Sequence, residues 1–426
     1  MKVLFIWNGT THYFNLITSK INKQPDIEIL YIYPKSKSEA IGDGVFQTKE
    51  GVNFKLFELE EKMNTEYNSL YYEGLDTFLN EHKPNIILTS EIHIKSLMFD
   101  ERINKIIKDL NIKTILKSIP FKLEKYHAQI TNLNYKIKNA PLPLFSSLPV
   151  PLSKLFKFIK LDSFYKNAYL DKKIKKSALK NIELQKLIYN WVDAHVNYIE
   201  EAYAIFGSYG VPKEKIFITY NSPDTDFLFS VKEKIEKEAP ILPENKFRII
   251  HLSRLVEWKR VDMLIRAVDG LRNEYPQIEL VIVGEGPEKE NLINLAISLG
   301  VSDSVKFLGG VYDPALLGKY LMSSSIYILA GMGGLSINDA MIFGLPVICS
   351  VCDGTEKYLV REGYNGLYFE NGDQHSLESK IKYLFDHPEQ RLTMGENSVN
   401  ITKNEINIHT VVDGYMKAFN YITSGN

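Results

Sequence analysis

Short apolar segments alternate with amphipathic helical patterns through the first 120 residues. Segments typical of buried strands are Lys2–Trp7, Ile27–Tyr33, Phe54–Glu58, Pro84–Ser90 and Lys113–Ile119. Helical periodicity predicts helices at Asn15–Lys23, Glu66–His82 and Glu101–Leu110. Nearly continuous apolar strands separated by helices indicate a parallel sheet that is covered on both faces.

A second alternating unit begins at Phe247. Its predicted strands are Phe247–Leu252, Glu279–Val283, Val305–Leu308, Ser325–Leu329 and Pro346–Ser350. Helices are predicted at Arg260–Glu274, from the Gly284-Glu-Gly-Pro turn to Leu299, at His375–Asp386 and at Val411–Tyr421. A charged linker is predicted at 231–245. The pattern therefore predicts an α/β protein with two Rossmann-like domains, 1–222 and 223–408, followed by a C-terminal helix in 409–426. Such domains bind ligands at the carboxyl ends of their strands, so the cleft between them is the expected active site.

The segment between these units, about 122–190, differs in composition from the rest of the chain. Four prolines between 141 and 151 exclude a regular helix there. Residues 131–190 carry twelve lysines against three acidic residues, whereas the whole chain has a net charge of −1. The near-neutral total argues against nucleic-acid binding. Within 152–180 an apolar helical face followed by lysines predicts either contact with an anionic membrane or an amphipathic helix packed on the first domain.

Composition and segment lengths exclude several other classes. Two cysteines in 426 residues exclude a disulfide-stapled secreted scaffold. The N-terminal apolar stretch is too short for a signal peptide, and no apolar run approaches the ~20 residues that span a bilayer. We therefore expect a cytoplasmic protein that is soluble or lies peripherally on the inner face of the plasma membrane.

Two features of the second unit have the chemistry of an anion site. Arg254 and Lys259 follow a strand, and two cations at the carboxyl end of a sheet suit a diphosphate, although surface charges are often merely solvated. The glycine-rich stretch from Gly331 to Asp339 opens a helix, where backbone N–H groups can approach an anion. Asp339 could then reach a ribose hydroxyl. An ordinary strand-to-helix turn is the alternative.

Three further motifs allow two interpretations each. Gly284-Glu-Gly-Pro suggests a dinucleotide site or, because a third glycine is missing, a tight turn. Cys349 and Cys352 have redox spacing, but a position at a buried strand favours structural thiols. His12 and His93 follow predicted strands of the first unit, and each is either a cleft residue on the acceptor side or a plain loop histidine.

Taken together, the second half resembles the retaining GT-B glycosyltransferases of group 1, family 4. The matching stretches occur in family order and at family spacing over about 130 residues. They are Ser253-Arg-Leu-Val-Glu-Trp-Lys, Ile282-Val-Gly-Glu-Gly-Pro, Val305-Lys-Phe-Leu-Gly-Gly-Val, Asp339-Ala-Met-Ile-Phe-Gly-Leu-Pro-Val, Gly354-Thr-Glu and Gly363-Tyr-Asn-Gly-Leu-Tyr-Phe. Asn221-Ser-Pro-Asp is similar to the family's element at the end of the first domain.

The resemblance implies a role for each matching position. Arg254 and Lys259 would grip the donor diphosphate and act in catalysis. The remaining donor-side positions are Gly9 beside the diphosphate, Gly309 in the base-binding region, Gly333, Gly334 and Leu335 facing the sugar and phosphate, Asp339 at the ribose, and Glu356 beside the donor. The resemblance also implies that the C-terminal helix packs on the first domain. No metal and no other cofactor is implied, because the basic pair does the work of Mg²⁺.

Two positions depart from the family pattern. The family pairs two glutamates eight residues apart, and this chain has Gly331 and Asp339 there. We expect the glycine to leave room of about a side chain, filled by water, by a larger sugar or by another residue. The family's first-domain histidine has no evident substitute in the stretch Lys117-Ser-Ile-Pro-Phe.

The expected function follows from the resemblance. It is transfer of a hexose or N-acetylhexosamine from a nucleotide sugar, with a UDP-sugar favoured over a GDP-sugar. The acceptor would be a glycan or a lipid-linked glycan in polysaccharide biosynthesis, such as that of lipopolysaccharide. The alternative is a non-catalytic nucleotide-sugar-binding partner in a glycan-assembly complex.

Overall fold

A computed structural model describes residues 1–36, 38, 47–65, 68–118, 123–139, 180–352 and 354–424. The segment 152–180, for which membrane contact is one of two predictions, lies outside the described residues apart from residue 180, as does most of the basic insertion. Among the described residues, no helix combines the length and apolarity needed to cross a bilayer.

Seven parallel strands form the sheet of the first domain, in the order β3-β2-β1-β6-β7-β8-β9. They are β1 (Lys2–Ile6), β2 (Glu28–Pro34), β3 (Lys55–Leu59), β6 (Ile86–Ser90), β7 (Lys113–Ser118), β8 (Ala194–Asn197) and β9 (Ile216–Ile218). Alternate strand residues enter two cores, one on each face of the sheet, so that Leu4 and Phe5 lie in different clusters. Both faces are covered, as the apolar segments predicted.

Helices cover the two faces of this sheet. They are α1 (His12–Asn22), α2 (Leu75–His82), α3 (Glu91–Phe99), α4 (Glu101–Asp109), α5 (Tyr126–Asn139), α6 (180–191) and α7 (Glu201–Ser208). The helix predicted at Glu66–His82 is wrong over its first half. An antiparallel hairpin of β4 (Glu61–Asn64) and β5 (Ser69–Tyr72) occupies that region. Gly74, with φ of 79°, turns the chain so that α2 begins only at Leu75.

The second domain contains a six-stranded parallel sheet in the order β12-β11-β10-β13-β14-β15. Its strands are β10 (Arg248–Leu252), β11 (Glu279–Val283), β12 (Val305–Gly309), β13 (Ile326–Leu329), β14 (Val347–Cys349) and β15 (Gly366–Tyr368). Every residue of β10, β11, β13 and β14 is buried. Burial on both faces explains why these segments are apolar at consecutive positions.

The helices of this half are α8 (Thr225–Ile235), α9 (Val261–Leu271), α10 (Lys289–Ser298), α11 (Pro314–Met322), α12 (Ser336–Ile342), α13 (Glu356–Leu359), α14 (Gln374–Asp386), α15 (Pro388–Asn404) and α16 (Ile408–Thr423). The prediction of a linker at 231–245 is wrong for its first residues, because α8 continues to Ile235. The Asp224 carboxylate caps α8 by accepting from the N–H of Phe227. The final helix, α16, buries Val411, Tyr415 and Phe419 in a core of the first domain.

Candidate active site

The two sheets point their carboxyl ends toward a cleft of ≈ 580 Å³ between the domains. Residues that follow β8 and β9 form one wall: Tyr198, Tyr220 and Asn221. The opposite wall belongs to the second domain and comprises Gly333, Gly334, Leu335, Asn338, Thr355, Tyr358, Leu359 and Ile406. Direct bonds join the walls, since the Asn338 amide donates to the Asn221 carbonyl at 3.3 Å and the Tyr358 hydroxyl bonds the Glu201 carboxylate.

Lys259 is held against the glycine-rich loop. It ends the single 3-10 turn Glu257–Lys259 that follows β10, and its side chain is buried. Its Nζ donates to the carbonyl oxygens of Met332 at 2.6 Å and Gly333 at 2.8 Å. The structure therefore brings together two features, the cation and the loop opening α12, that stand more than 70 residues apart in sequence.

Gly331 is a close-approach site, and this corrects the expectation that it leaves room for a side chain. A Cβ on Gly331 would lie 2.1 Å from the carbonyl oxygen of Trp258 and 2.7 Å from backbone atoms of Lys259. The next residue, Met332, donates its N–H to that same Trp258 oxygen at 3.2 Å. The space is thus filled by the turn that carries Lys259, and a larger side chain here would displace that turn.

Arg254 lies in the loop between β10 and the 3-10 turn. Its side chain is exposed, and its guanidinium lies 6.0 Å from the centre of the Trp258 ring. The same loop packs against the Gly284–Gly286 turn, where a Cβ on Gly284 would stand 1.8 Å from the Ser253 carbonyl oxygen. The glycines at 284 and 286 therefore support the interpretation of this motif as a tight turn, because they let two loops touch.

Asp339 lies on α12, just after the glycine loop. It is half-buried, and burial raises the pKa of its carboxyl to about 7. At neutral pH the group can therefore both donate and accept hydrogen bonds, which suits a sugar hydroxyl. Nearby, the Tyr327 hydroxyl donates to Ser336 at 2.7 Å and orders the start of α12.

The other donor-side candidates line the carboxyl edge of the second sheet. Gly309 ends β12 with φ of 74°, and its carbonyl accepts from the Gly284 N–H at 2.8 Å. Glu356 is fully buried at the start of α13 and accepts from the Gly354 N–H at 3.0 Å. Burial, together with the Glu356 charge, raises the pKa of the Cys349 thiol. A protonated, buried thiol fits a structural rather than a redox role.

The first-domain candidates occupy different environments. Gly9 is buried in the loop after β1, and its carbonyl accepts from the Tyr31 hydroxyl at 2.8 Å. His12 is exposed as the first residue of α1. His93 is buried on α3, bonds Glu61 of the hairpin at 2.9 Å and stacks on Tyr72. The two histidines therefore do not share one environment, and His93 is buried against the β4–β5 hairpin and is not among the residues that line the cleft.

The sequence analysis did not single out Lys117, which lies against the cleft-lining residue Tyr198. Lys117 lies near the carboxyl end of β7, and its side chain is buried. Its Nζ stands 3.5 Å from the centre of the Tyr198 ring, and the rings of Trp7 and Phe14 are 5.9 and 5.7 Å away. Burial lowers the pKa of Lys117 well below its usual value. The sequence feature that could have indicated Lys117 is a lysine placed directly after the apolar strand residues Ile115 and Leu116.

Comparison with known proteins agrees with the geometry of the second domain. Residues 232–400 match the family Glycosyl transferases group 1. An uncharacterized glycosyltransferase of Haemophilus influenzae is 34% identical over 167 residues, which cover 37% of this chain and 46% of that protein. One of Methanocaldococcus jannaschii is 28% identical over 271 residues, covering 62% and 65%. The matches thus span less than two thirds of either relative.

A further relative is a lipopolysaccharide core biosynthesis glycosyltransferase of Rhizobium meliloti. It is 28% identical over 173 residues, which cover 40% of this chain and 48% of that protein. The match is confined to less than half of either chain, so the activity in its name describes that protein alone.

Solved structures match almost the whole chain. The Anabaena protein HepE in complex with UDP aligns over 98% of this chain and 99% of its own, with a TM-score of 0.63 and 16% identity. A complex of HepE with UDP-glucose gives a TM-score of 0.60 at 17% identity, with 98% and 99% of the two chains covered. At such identities the likeness concerns the fold. The protein has the α/β GT-B fold, and residues 232–400 of its second domain are similar to the family Glycosyl transferases group 1.

Proposed function

We propose that this protein is a retaining glycosyltransferase that uses a nucleotide-sugar donor, with a UDP-sugar favoured over a GDP-sugar. The observation that carries the proposal is the bonding of Lys259 to the Met332 and Gly333 carbonyls, beside the cleft. This contact holds a buried cation at the loop where the group 1 domain would receive a diphosphate. The UDP and UDP-glucose complexes of HepE, which has the same fold, favour a uridine nucleotide.

The proposed chemistry needs charge stabilisation more than a protein base. Negative charge builds on the donor diphosphate as the bond to the sugar breaks, and Arg254 and Lys259 would stabilise it. An oxygen of the leaving phosphate would take the proton of the incoming hydroxyl on the same face of the sugar, which gives retention. With two cations in this position, we propose that no metal ion is required.

The donor would lie with its parts along the second-domain wall. Asp339, with a carboxyl that can donate or accept, would hold the ribose, and the main chain of Gly333, Gly334 and Leu335 would meet the sugar and phosphate. Gly309 would border the base, and Glu356 would support the donor side. Gly9, from the first domain, would approach the diphosphate from across the cleft.

The acceptor would be a glycan or a lipid-linked glycan. The Rhizobium meliloti relative acts in lipopolysaccharide core biosynthesis, which favours a role in polysaccharide assembly. We propose that the protein works in the cytoplasm or on the inner face of the plasma membrane.

The geometry at Gly331 favours catalysis over the alternative of a non-catalytic partner. Loss of a glutamate from the family pair could indicate a decayed enzyme. Here, however, glycine is required by contact with the Trp258 and Lys259 backbone, so the position is built for this loop arrangement.

The test is donor binding and turnover with matched variants. We expect calorimetry to detect UDP and UDP-glucose binding, with a weaker signal for GDP-mannose. Arg254→Ala and Lys259→Met should each weaken UDP binding by about 10- to 100-fold, because each removes a charge-assisted contact to phosphate. Arg266→Ala, which changes an exposed arginine on α9, is the matched control and should bind UDP as the wild type does.

Turnover separates the enzyme from a binding partner. The wild type should slowly release free sugar from a nucleotide sugar, and NMR of the freshly released or transferred sugar should show the donor's anomeric configuration. Binding of UDP without release of sugar from any nucleotide sugar in a screen would favour the binding partner. Absence of UDP and GDP binding would overturn both proposals.

A further inference from the structure

Lys117 is a buried lysine whose side-chain amine has no counter-ion among the described residues. Among the residues that the structure describes, aromatic rings surround its Nζ, with the ring centre of Tyr198 3.5 Å away and those of Trp7 and Phe14 at nearly 6 Å. Among the described residues, no carboxylate oxygen lies within ion-pair distance of the Lys117 Nζ, although the residue is only 4% exposed. This lysine therefore differs from surface lysines such as Lys213, which is exposed above the Tyr203 ring.

Such an arrangement carries a stability penalty. Removing an ammonium group from water costs several kcal/mol, whereas a desolvated cation–π contact returns about 2 kcal/mol. Apolar side chains of similar length would pack between Tyr198 and Phe14 without that penalty. An amine placed in such a setting points to a partner that binds from outside the chain and, by pairing with it, favours its protonated form.

The position of Lys117 indicates where that partner would lie. The residue stands near the carboxyl end of β7, and Tyr198, the ring closest to its Nζ, lines the cleft between the domains. Arg254 and Lys259 lie in the opposite domain and account for the donor diphosphate. Lys117, on the first-domain side, would therefore contact a part of the substrates other than the donor diphosphate.

We infer that Lys117 binds an anionic group, a carboxylate or a phosphate, on a substrate held in the cleft. The inference rests on the proposed function, because it assumes that donor and acceptor meet there. The anion could belong to the donor sugar, as in a uronic acid, or to the acceptor, as in a sugar phosphate. In either case Lys117 selects the substrate and is not needed to bind UDP.

Binding measurements with paired probes distinguish the two sources. The donor arm compares UDP-glucuronic acid with UDP-glucose. The acceptor arm compares glucose 1-phosphate with glucose, both added to protein saturated with UDP so that the diphosphate site is occupied. In one arm the wild type should bind the anionic probe at least tenfold more tightly than the neutral one, and Lys117→Met should reduce that preference to within twofold.

Stability and control measurements complete the test. Lys117→Met should raise the melting temperature, because it replaces a buried polar amine by an apolar group, and should keep the UDP affinity of the wild type. Lys213→Met, the exposed counterpart, should alter neither the anion preference nor the melting temperature. An unchanged preference in both arms, or a lower melting temperature for Lys117→Met, would overturn the inference. Failure of the wild type to bind UDP would instead refute the proposed function.

Discussion

In the part of the chain that the structure describes, each domain has one buried lysine near the cleft, and the two are stabilised in different ways. Lys259 of the second domain donates to two main-chain carbonyls, at 2.6 and 2.8 Å. Lys117 of the first domain has aromatic rings around its Nζ, the closest centred 3.5 Å away. Hydrogen bonds to carbonyls offset the loss of hydration of an ammonium group far better than rings do.

This difference in stabilisation indicates that the two lysines have different roles in substrate binding. The second-domain lysine is positioned by the fold before any ligand arrives, since its partners are backbone atoms of the adjacent loop. The first-domain lysine has no such partners among the described residues, so its interaction would be completed by a substrate. A preformed donor site facing a ligand-dependent acceptor side suits an enzyme that binds one common donor class and a particular second substrate.

The largest expected effect comes from breaking the contact that positions Lys259. Gly331→Ala would place a methyl group 2.1 Å from the Trp258 carbonyl oxygen. We expect a loss of about 3 kcal/mol of stability, at the upper end for overpacking, and loss of UDP binding. Gly334→Ala is the matched control for stability, because its Cβ would meet its nearest atom, Lys259 Nζ, at an ordinary 3.7 Å. Equal melting temperatures for the two variants would contradict the close-approach explanation.

Lys259→Met sharpens the comparison between the lysines directly. It leaves the Met332 and Gly333 carbonyls without their charged donor and should cost about 1.5–3 kcal/mol of stability. Lys117→Met should do the opposite and raise the melting temperature. Chemical denaturation of both variants measures the contrast, and a change of the same sign in both would mean that the two lysines are stabilised alike.

Asp339 provides a pH-dependent test of the second-domain wall. Its pKa is about 7 in the folded protein against an ordinary 3.8, so the fold favours the protonated form. The resulting stabilisation is complete below pH 4 and is lost as the pH rises toward 7. Asp339→Asn should therefore be more stable than the wild type at pH 8, by a margin that shrinks at pH 5. Asp303→Asn, at an exposed aspartate, should change stability equally at both pH values; a pH-independent gain for Asp339→Asn would contradict the assignment.

The smallest effect is expected where the two walls touch. The Tyr358 hydroxyl bonds the Glu201 carboxylate and accepts from the Glu201 N–H at 3.2 Å. Tyr358→Phe removes both bonds and should raise the donor KM by several-fold, equivalent to about 1 kcal/mol, with kcat changed less. Tyr364→Phe, which alters an exposed tyrosine of the same domain, should leave KM unchanged. If both variants behave alike, this contact does not influence closure of the cleft.

The order and type of most strands could be predicted from the sequence, because burial on both faces demands apolar residues at consecutive positions. Predicted strand bounds such as Phe247–Leu252 and Ser325–Leu329 differ by one residue from the observed β10 and β13. The helix predicted at Glu66–His82 was wrong over its first half. There the pairing of β4 with β5 and the left-handed Gly74 decided the conformation.

The residues of the candidate site can likewise be separated into those that the sequence indicates and those that only tertiary packing brings together. The sequence by itself determined that Arg254, Lys259 and the glycine loop follow strands of one parallel sheet, because strand ends and glycine turns are encoded locally. Only the tertiary structure decided that Gly331 must be glycine, since the atoms that exclude a side chain belong to residues more than 70 positions earlier. It also decided that Lys117 is buried among Trp7, Phe14 and Tyr198, and that His93 meets Glu61. These environments form when segments that are distant in sequence pack together, and the hydrophobic pattern of the sequence does not indicate which segments will be in contact.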